Sequence, residues 1–220
     1  MHTKGALTAR ATNHDVVRGS IITAPDQRRL LDETDAPALG PTAVTQPQPS
    51  AGDIAEICDM LTRAKRPVII AGGQVGGEEG RNALRAVSEA WNVPVATSWR
   101  HQDIFDTSHP NFACHLAFNM PPVFKDTLNE ADLIIAIGTR LGDVVTQGYK
   151  IPEAPRPKQK LVHIYNDAEP LGKVFDTDLS VVADATKTLQ AIAQINPPAA
   201  PEGRDDWITK PHECGADKMV

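Results

Sequence analysis

The chain alternates between short apolar segments that end in glycine and amphipathic segments of helical length. The two clearest apolar segments are PVIIA, followed by Gly72 and Gly73, and LIIAI, followed by Gly138. Continuous apolar runs of this length are typical of strands buried on both faces of a parallel sheet. Helices that alternate with such strands form right-handed crossovers and cover the sheet. The pattern predicts an α/β domain with a doubly wound, mostly parallel sheet of about five or six strands and helices on both faces, a Rossmann-like architecture.

The predicted elements lie between residues 50 and 196. Ser50 and Asp53 have the spacing of a capping box, and apolar residues follow them at i, i+3, i+4 and i+7, which indicates a helix. Residues 100–119 are predicted to form a long connection. Five strands are predicted, in the segments PVIIAGG, VPVATSW, LIIAIG, LVHIYND and LSVVADAT.

The prolines indicate how the chain is organised. Of the 18 prolines, nine lie in the two flanks, residues 1–50 and 197–220, although these flanks are much shorter than the middle of the chain. Proline fixes φ and cannot donate to a strand ladder, so proline-rich segments favour extended linkers. We expect a loosely ordered segment and proline-rich linker in 1–49, an α/β domain in 50–196 and a flexible tail in 197–220.

Composition excludes several classes of function. With 22 basic and 28 acidic residues the net charge is −6, and no basic cluster is present to capture nucleic acid or an anionic membrane surface. The apolar runs are far shorter than the roughly 20 residues of a membrane span, and the first residues form no apolar export signal. Three widely spaced cysteines are typical of a reduced, cytoplasmic protein.

In a doubly wound sheet, ligands bind beyond the carboxyl ends of the strands, which makes the residues there the candidates for a binding site. Gly72 and Gly73 follow one strand and precede a helix, where glycines allow a diphosphate to approach the backbone or simply form a tight turn. The spacing is not G-x-G-x-x-G, and Thr97 and Ser98 end the next strand without the acidic residue that holds a ribose. An NAD site is therefore not predicted.

Other strand ends carry charged residues with two interpretations each. After Gly138, the guanidinium of Arg140 has the geometry to bind phosphate oxygens, or it forms a local ion pair with Asp143. Asp167 and Asp184 end later strands, where a carboxylate contacts a ribose or an adenine, or caps a helix. Capping is favoured for Asp184, and both interpretations stay open for Asp167 and Arg140.

Catalytic and metal-binding patterns are weak. Ser98 lacks the G-x-S-x-G context of a nucleophile, so a hydrolase that pairs it with His101 or His109 is the least supported function. Cys114 is expected to be a buried structural cysteine. The long connection contains four residues whose spacing fits no zinc pattern, namely His101, Asp103, His109 and His115. No catalytic residue and no metal ligand is assigned.

Taken together, the motifs resemble the central domain of thiamine-diphosphate-dependent enzymes of the acetolactate-synthase-like group, which includes benzoylformate decarboxylase. The resemblance covers residues 50–196 and is carried by RPVIIAGG, VPVATSW, HPNFACHLA, EADLIIAIGTRLGD, KLVHIYNDAEPLGK and VVADA. It implies that FAD-binding members line their dinucleotide site with the residues matching Gly72, Gly73, Thr97, Ser98, Gly138, Arg140 and Asp184. Two departures count against FAD: Asn166-Asp167 replaces alternating acids, and the segment after Arg140 lacks a Phe-Asp-Asp-Arg run.

The resemblance also implies what surrounds such a domain. In the family, thiamine diphosphate and magnesium are held by a pyrimidine-binding and a diphosphate-binding domain, and the whole enzymes, which act on 2-keto acids as transferases or lyases, are homo-oligomers. This sequence has no G-D-G…N diphosphate motif. We therefore expect a structural central domain, inactive alone, whose partners are the two missing domains. The alternative is a stand-alone module that binds FAD, ADP or coenzyme A.

Overall fold

The computed structural model describes residues 45–118 and 120–208. Its centre is a sheet of six strands that pair only in parallel, in the order β3-β2-β1-β4-β5-β6. This arrangement confirms the predicted doubly wound α/β fold. The strands are β1 Pro67–Ala71, β2 Val95–Thr97, β3 Phe112–His115, β4 Leu133–Ile137, β5 Lys160–Tyr165 and β6 Leu179–Val182.

Four helices cover this sheet, namely α1 Ala51–Arg63, α2 Gly77–Trp91, α3 Pro122–Glu130 and α4 Ala185–Ala193. The predicted capping box starts α1: Asp53 N donates to Ser50 Oγ at 3.1 Å, and Ser50 N donates to the Asp53 carboxylate at 2.8 Å. Asn92 ends α2 in the left-handed conformation, with φ of 51°. Local sequence signals therefore mark the start of α1 and the end of α2.

The two faces of the sheet are covered differently. Side chains alternate along each strand, so Ile69 of β1 points to one face and Ile70 to the other. Helices α1, α2 and α4 bury the first face, which we call the helical face. The second face is covered by α3 together with the connections that follow β3 and β4, and we call it the loop face.

Strand β3 lies inside the predicted connection, so the interpretation of residues 100–119 as connection throughout was wrong. It pairs with β2 at the edge of the sheet, with an irregular register between Val95 and Ala96. Its sequence, FACH, is too short and too mixed in polarity for the apolar pattern that identified the other strands. Asn111 precedes it, and the Asn111 carbonyl accepts a hydrogen bond from Val95 N at 2.8 Å.

The C-terminal segment also differs from the prediction. Residues 197–220 were expected to form a flexible tail, but residues 204–208 are helical, and Arg204 and Trp207 are 2% and 3% exposed. The Trp207 indole donates to the carbonyl of Pro67, at the start of β1, at 2.8 Å. The other parts of the two flank predictions, residues 1–44 and 209–220, lie outside the described residues.

Arg204 joins the ends of two helices. Its Nη2 donates to the carbonyls of Leu61 and Ala64 at the end of α1, and its Nη1 donates to the carbonyl of Trp91, the last residue of α2, at 3.3 Å. A cation is favourable at the negative end of a helix dipole. Burial nevertheless lowers the pKa of Arg204, because a guanidinium removed from water loses hydration.

Candidate functional site

The strand order fixes where a ligand site can form. The connections from β1 and β4, which are neighbours in the sheet, run in opposite directions, and an open cleft of about 430 Å³ lies at this switch point. Of the predicted site residues, Gly73, Ser98, Gly138 and Arg140 line this switch-point cleft. The other four, Gly72, Thr97, Asp167 and Asp184, do not line it.

The glycines at the strand ends are required by close packing. A Cβ on Gly72 would lie 2.4 Å from the carbonyl oxygen of Gly138, and a Cβ on Gly73 would lie 2.4 Å from Cε1 of His101. Gly138 itself has φ of 66°, a conformation that favours glycine. These contacts support the tight-turn interpretation of Gly72 and place His101 in the wall of the cleft.

Thr97 and Ser98 end β2, and only Ser98 lines the cleft. Thr97 is fully buried, and its Oγ1 lies 3.1 Å from Nδ1 of His115 in a hydrogen bond. Burial lowers the pKa of His115, with hydrogen bonding to Thr97 acting in the opposite sense. Ser98 N donates to the carbonyl of Ala71 at 2.8 Å, which ties β2 to β1.

The histidines and acids of the 100–119 segment have separate partners. His109 Nε2 lies 3.0 Å from the Glu89 carboxylate, and its Nδ1 accepts from Asn111 N at 3.0 Å. Asp103 lies 3.8 Å from the guanidinium of Arg81. In the described part of the chain no three His, Cys, Asp or Glu side chains form a group that could hold a metal ion. The four residues named from the sequence therefore do not form a metal site with one another.

The two cysteines of the described ranges are buried and free. Burial raises the pKa of the Cys114 thiol to about 12 and raises that of Cys58 as well. A thiol with a raised pKa carries little of the reactive thiolate. The prediction that Cys114 is structural is therefore confirmed.

Arg140 faces β5. Its Nε donates to the hydroxyl of Tyr165 at 3.1 Å, and its guanidinium lies 5.8 Å from the centre of the Tyr165 ring. This hydrogen bond raises the pKa of Arg140. Within residues 45–118 and 120–208 no ion pair joins Arg140 to Asp143, so the local ion pair considered for them does not form. Arg140 also lines the switch-point cleft.

Asp167 and Asp184 have local roles. The Asp184 carboxylate accepts from Lys187 N at 2.8 Å and caps α4, which confirms the favoured interpretation. The Asp167 carboxylate accepts from Glu169 N at 3.0 Å and stabilises the turn after β5. Asp167 also lies near enough to Arg140 to raise its pKa.

Sequence reasoning missed an amide bridge across the switch point. The Gln74 side chain donates to Asn166 Oδ1, and Asn166 N donates back to Gln74 Oε1 at 3.2 Å. Gln74 N also donates to the Gly138 carbonyl at 3.2 Å. The bridge links the ends of β1 and β5 above β4, between residues 92 positions apart. A glutamine directly after a glycine pair gives no pattern from which such a contact could be predicted.

His163 is a second missed residue. It lies within β5, is 2% exposed, and its Nε2–H donates to the carbonyl of Thr139 at 2.8 Å. Burial lowers the pKa of His163, so the neutral ring is the form that the fold holds. The signal in the sequence was a single histidine within the apolar run LVHIY. Its bond positions the segment that carries Arg140.

The N-terminus of α2, where a doubly wound domain commonly binds phosphate, does not suit an anion here. Gly76 caps the helix without a side-chain hydrogen bond, and Glu78 and Glu79 occupy its first turn. These two carboxylates offset the positive potential at this end of the helix dipole and would repel a further anion. A phosphate in the switch-point cleft would therefore depend on Arg140 rather than on the helix.

Fold and cleft define a doubly wound α/β domain with one open cleft at its switch point. The family model of the central domain of thiamine pyrophosphate enzymes matches residues 54–192, and the chain belongs to this family. The match covers the whole sheet and all but the first residues of α1 and the last residue of α4.

The chain is also similar in sequence to part of several longer proteins. Sulfoacetaldehyde acetyltransferase of Roseovarius nubinhibens is 30% identical over 170 residues, which are 76% of this chain and 28% of that protein. The acetolactate synthase large subunit of Corynebacterium glutamicum is 28% identical over 181 residues, 79% of this chain and 27% of that protein. The probable acetolactate synthase large subunit of Methanocaldococcus jannaschii is 27% identical over 183 residues, which are 82% of this chain and 29% of that protein. The chain thus spans little more than a quarter of the length of these relatives.

None of the helices in the described ranges is both long and apolar enough to cross a membrane.

Proposed function

We propose that this chain serves as the structural central domain of a thiamine-diphosphate-dependent enzyme that acts on 2-keto acids by acyl transfer or decarboxylation. The observation that carries the proposal is the family match over residues 54–192, with relatives in which this domain fills about a quarter of the protein. When bound, thiamine diphosphate stabilises the carbanion that such reactions need. The residues of this chain contribute a rigid domain, and the pyrimidine- and diphosphate-binding domains are its partners in a homo-oligomeric enzyme.

Two measurements test this proposal. Purified residues 1–220 are expected to show no thiamine-dependent turnover of pyruvate or benzoylformate, because the proposal assigns the cofactor to the pyrimidine- and diphosphate-binding domains and the described residues contain no group of metal-ligating side chains. Turnover by this chain alone would contradict the proposal. The reading frame on either side of the coding region is expected to encode the two thiamine-binding domains, and a flanking sequence of unrelated proteins would also contradict it.

A second candidate function is nucleotide binding in the switch-point cleft. Its support is the volume of about 430 Å³ with the guanidinium of Arg140 in the wall. Two features count against nucleotide binding: the amide bridge between Gln74 and Asn166, and the acidic first turn of α2. A ligand such as ADP or coenzyme A would place its phosphate against Arg140, and FAD would have to displace the bridge.

Calorimetric titration with FAD, ADP and coenzyme A separates the two candidates. If the cleft binds a nucleotide, Arg140→Ala is expected to weaken binding at least tenfold, because hydrogen bonds to a charged group contribute about 1.5–3 kcal/mol. Arg156→Ala is the matched control: it removes the same charge from an exposed side chain that pairs with Asp176. Flat titrations with all three ligands would remove this second candidate and leave the structural role.

A further inference from the structure

A second open pocket lies on the loop face, between α3 and the connection that follows β4. Its volume is about 490 Å³. Lys125 of α3, Lys150 and Phe118 line it, with Val144 and Ile151 as apolar walls. We call it the lysine pocket. It shares only the rim residues Asp143 and Val144 with the switch-point cleft, and none of the predicted site residues line it.

The connection that forms one wall is held in place by specific contacts. The Gln147 side chain donates to the carbonyl of Ala117 at 2.8 Å and to that of Val144 at 2.9 Å, so it ties this connection to the segment after β3. Leu141, Gln147 and Tyr149 have φ of 50°, 52° and 64°. Left-handed residues other than glycine cost free energy and persist where the surrounding structure fixes them. The pocket is therefore formed before any ligand arrives.

The charge of the pocket is unbalanced. Two cationic side chains, Lys125 and Lys150, line it, and neither takes part in an ion pair in the described part of the chain. Lys125 lies near the N-terminus of α3, where the helix dipole adds positive potential. Asp143 on the rim is the single acid of the lining. The lining side chains, two lysines and one aspartate, thus sum to a net charge of +1, although the whole chain carries −6.

An aromatic side chain lies beside these cations. Phe118 is 64% exposed, which is unusual for so large an apolar side chain. Its ring contacts the edge of Trp99, with centroids 5.0 Å apart and planes at 71°. Trp99 lines the neighbouring switch-point cleft, so the aromatic pair separates the two cavities. An exposed ring next to two lysines suits a ligand that has an anionic end and an apolar body.

We propose that the lysine pocket binds the phosphate of a small phosphate monoester, with Lys125 and Lys150 on the phosphate oxygens and Phe118 against the apolar part of the ester. Two ammonium groups match the double charge of a phosphate monoester better than the single charge of a carboxylate. The apolar part gains free energy in proportion to the area that it buries on Phe118, Val144 and Ile151. This site is separate from the nucleotide-binding candidate at Arg140.

Isothermal titration of the full chain with phenyl phosphate, inorganic phosphate and benzoate tests the proposal. Saturable binding is expected for phenyl phosphate, with inorganic phosphate at least fivefold weaker and benzoate at least tenfold weaker. The Phe118→Ala variant should reduce the affinity for phenyl phosphate to that for inorganic phosphate and leave the latter unchanged. Binding of all three anions with equal affinity, or of none, would overturn the proposal.

A matched pair of double variants shows whether binding occurs in this pocket. Lys125→Ala with Lys150→Ala is expected to weaken phenyl phosphate binding at least twentyfold. Lys158→Ala with Lys160→Ala removes the same charge from exposed lysines outside the pocket and should change affinity less than twofold. An equal loss in both variants would show attraction to net charge alone and would contradict the proposal.

Two further variants sharpen the assignment. Asp143→Asn should strengthen phenyl phosphate binding severalfold, since it removes the one carboxylate that repels the anion. Arg140→Ala should leave it within twofold, because Arg140 lies in the other cavity; a tenfold loss would move the phosphate to the switch-point cleft. The role as a central domain does not depend on this ligand, so failure here leaves that proposal intact.

Discussion

Two arginines lie at opposite ends of the sheet and are used in opposite ways. Arg204, where the strands begin, is 2% exposed and donates to three carbonyls at the ends of α1 and α2. Arg140, where the strands end, is exposed, lines the switch-point cleft and donates through Nε to Tyr165. The amino end of the sheet is thus fastened by internal hydrogen bonds, and the carboxyl end carries the open switch-point cleft.

The difference has a physical basis in what each end must satisfy. At the amino end, Asp132 accepts from Lys65 N at 2.8 Å and Arg66 N at 2.9 Å, and Trp207 covers the start of β1. The backbone groups at the ends of helices and strands need such partners. At the carboxyl end the turns after β1 and β4 contact each other through Gly72 and Gly138. The hydrogen bonds that tie the helix ends together and the open cleft therefore lie at different ends of one sheet.

The largest expected loss of stability comes from a substitution at the amino end of the sheet. Arg204→Met should lower the free energy of unfolding by about 3 kcal/mol, because three buried carbonyls lose their donor at a cost of about 1–3 kcal/mol each before relaxation. Urea denaturation followed by circular dichroism measures it. Arg156→Met, at an arginine whose side chain is 87% exposed, is the control and should change stability by less than about 0.5 kcal/mol. Equal effects at the two positions would contradict the proposed role of Arg204.

The next largest loss of stability is expected at the carboxyl end of the sheet, where the backbones at Gly72 and Gly138 lie close together. Gly72→Ala should cost about 2 kcal/mol, since the new methyl group would lie 2.4 Å from the Gly138 carbonyl and overpacking costs about 1–3 kcal/mol. Gly142→Ala offers a matched control, because a Cβ there meets nothing within 4 Å. Thermal unfolding of both variants gives the comparison. A Gly72→Ala variant as stable as Gly142→Ala would show that the turns do not need this contact.

The pH dependence of stability should report on His163. Burial lowers its pKa in the folded state below the ordinary 6.5, so the unfolded chain binds more protons and stability is lost as the pH falls below about 6.5. His115 acts in the same direction. His163→Gln keeps a donor for the Thr139 carbonyl and should flatten the decline between pH 7 and 5 in urea titrations. At pH 8 the His163 side chain is neutral in both the folded and the unfolded chain, so a difference in stability between wild type and variant there measures any packing defect. If the stability of the variant falls with pH as steeply as that of the wild type, the role assigned to His163 is contradicted.

The smallest change in stability is expected for Arg140, the exposed arginine of the pair. Arg140→Ala should change the free energy of unfolding by less than about 0.5 kcal/mol, because an exposed side chain with one hydrogen bond contributes little. Tyr165→Phe, which removes only the hydroxyl partner, should behave similarly in the same denaturation assay. A loss of 2 kcal/mol or more in either variant would place Arg140 among the residues that hold the fold together.

Local signals predicted most of the fold. Apolar runs identified five strands, and Ser50 and Asp184 start their helices as predicted. Those features depend on residues a few positions apart, whose hydrogen bonds and burial follow from local spacing. Strand β3 was missed because four residues of mixed polarity carry no period, and its place depends on pairing with β2.

The candidate site was predicted less completely. Gly73, Ser98, Gly138 and Arg140 do meet in one cleft, because parallel strands bring their carboxyl ends to one edge. The partners of these residues were not predictable: Arg140 contacts Tyr165 25 positions away, and Gln74 contacts Asn166 92 positions away. Contacts at such separations depend on strand order, which periodicity does not determine.

The contacts of Arg204 and Trp207 also bear on the order in which the chain can fold. Arg204 bonds to residues 113 to 143 positions earlier, and Trp207 to one 140 positions earlier. Closing loops of that length carries an entropy cost that slows folding. During synthesis the ends of α1 and α2 therefore lack this donor until residue 204 has emerged from the ribosome. The first two helices of the sheet's cover are therefore among the last elements to complete their hydrogen bonds.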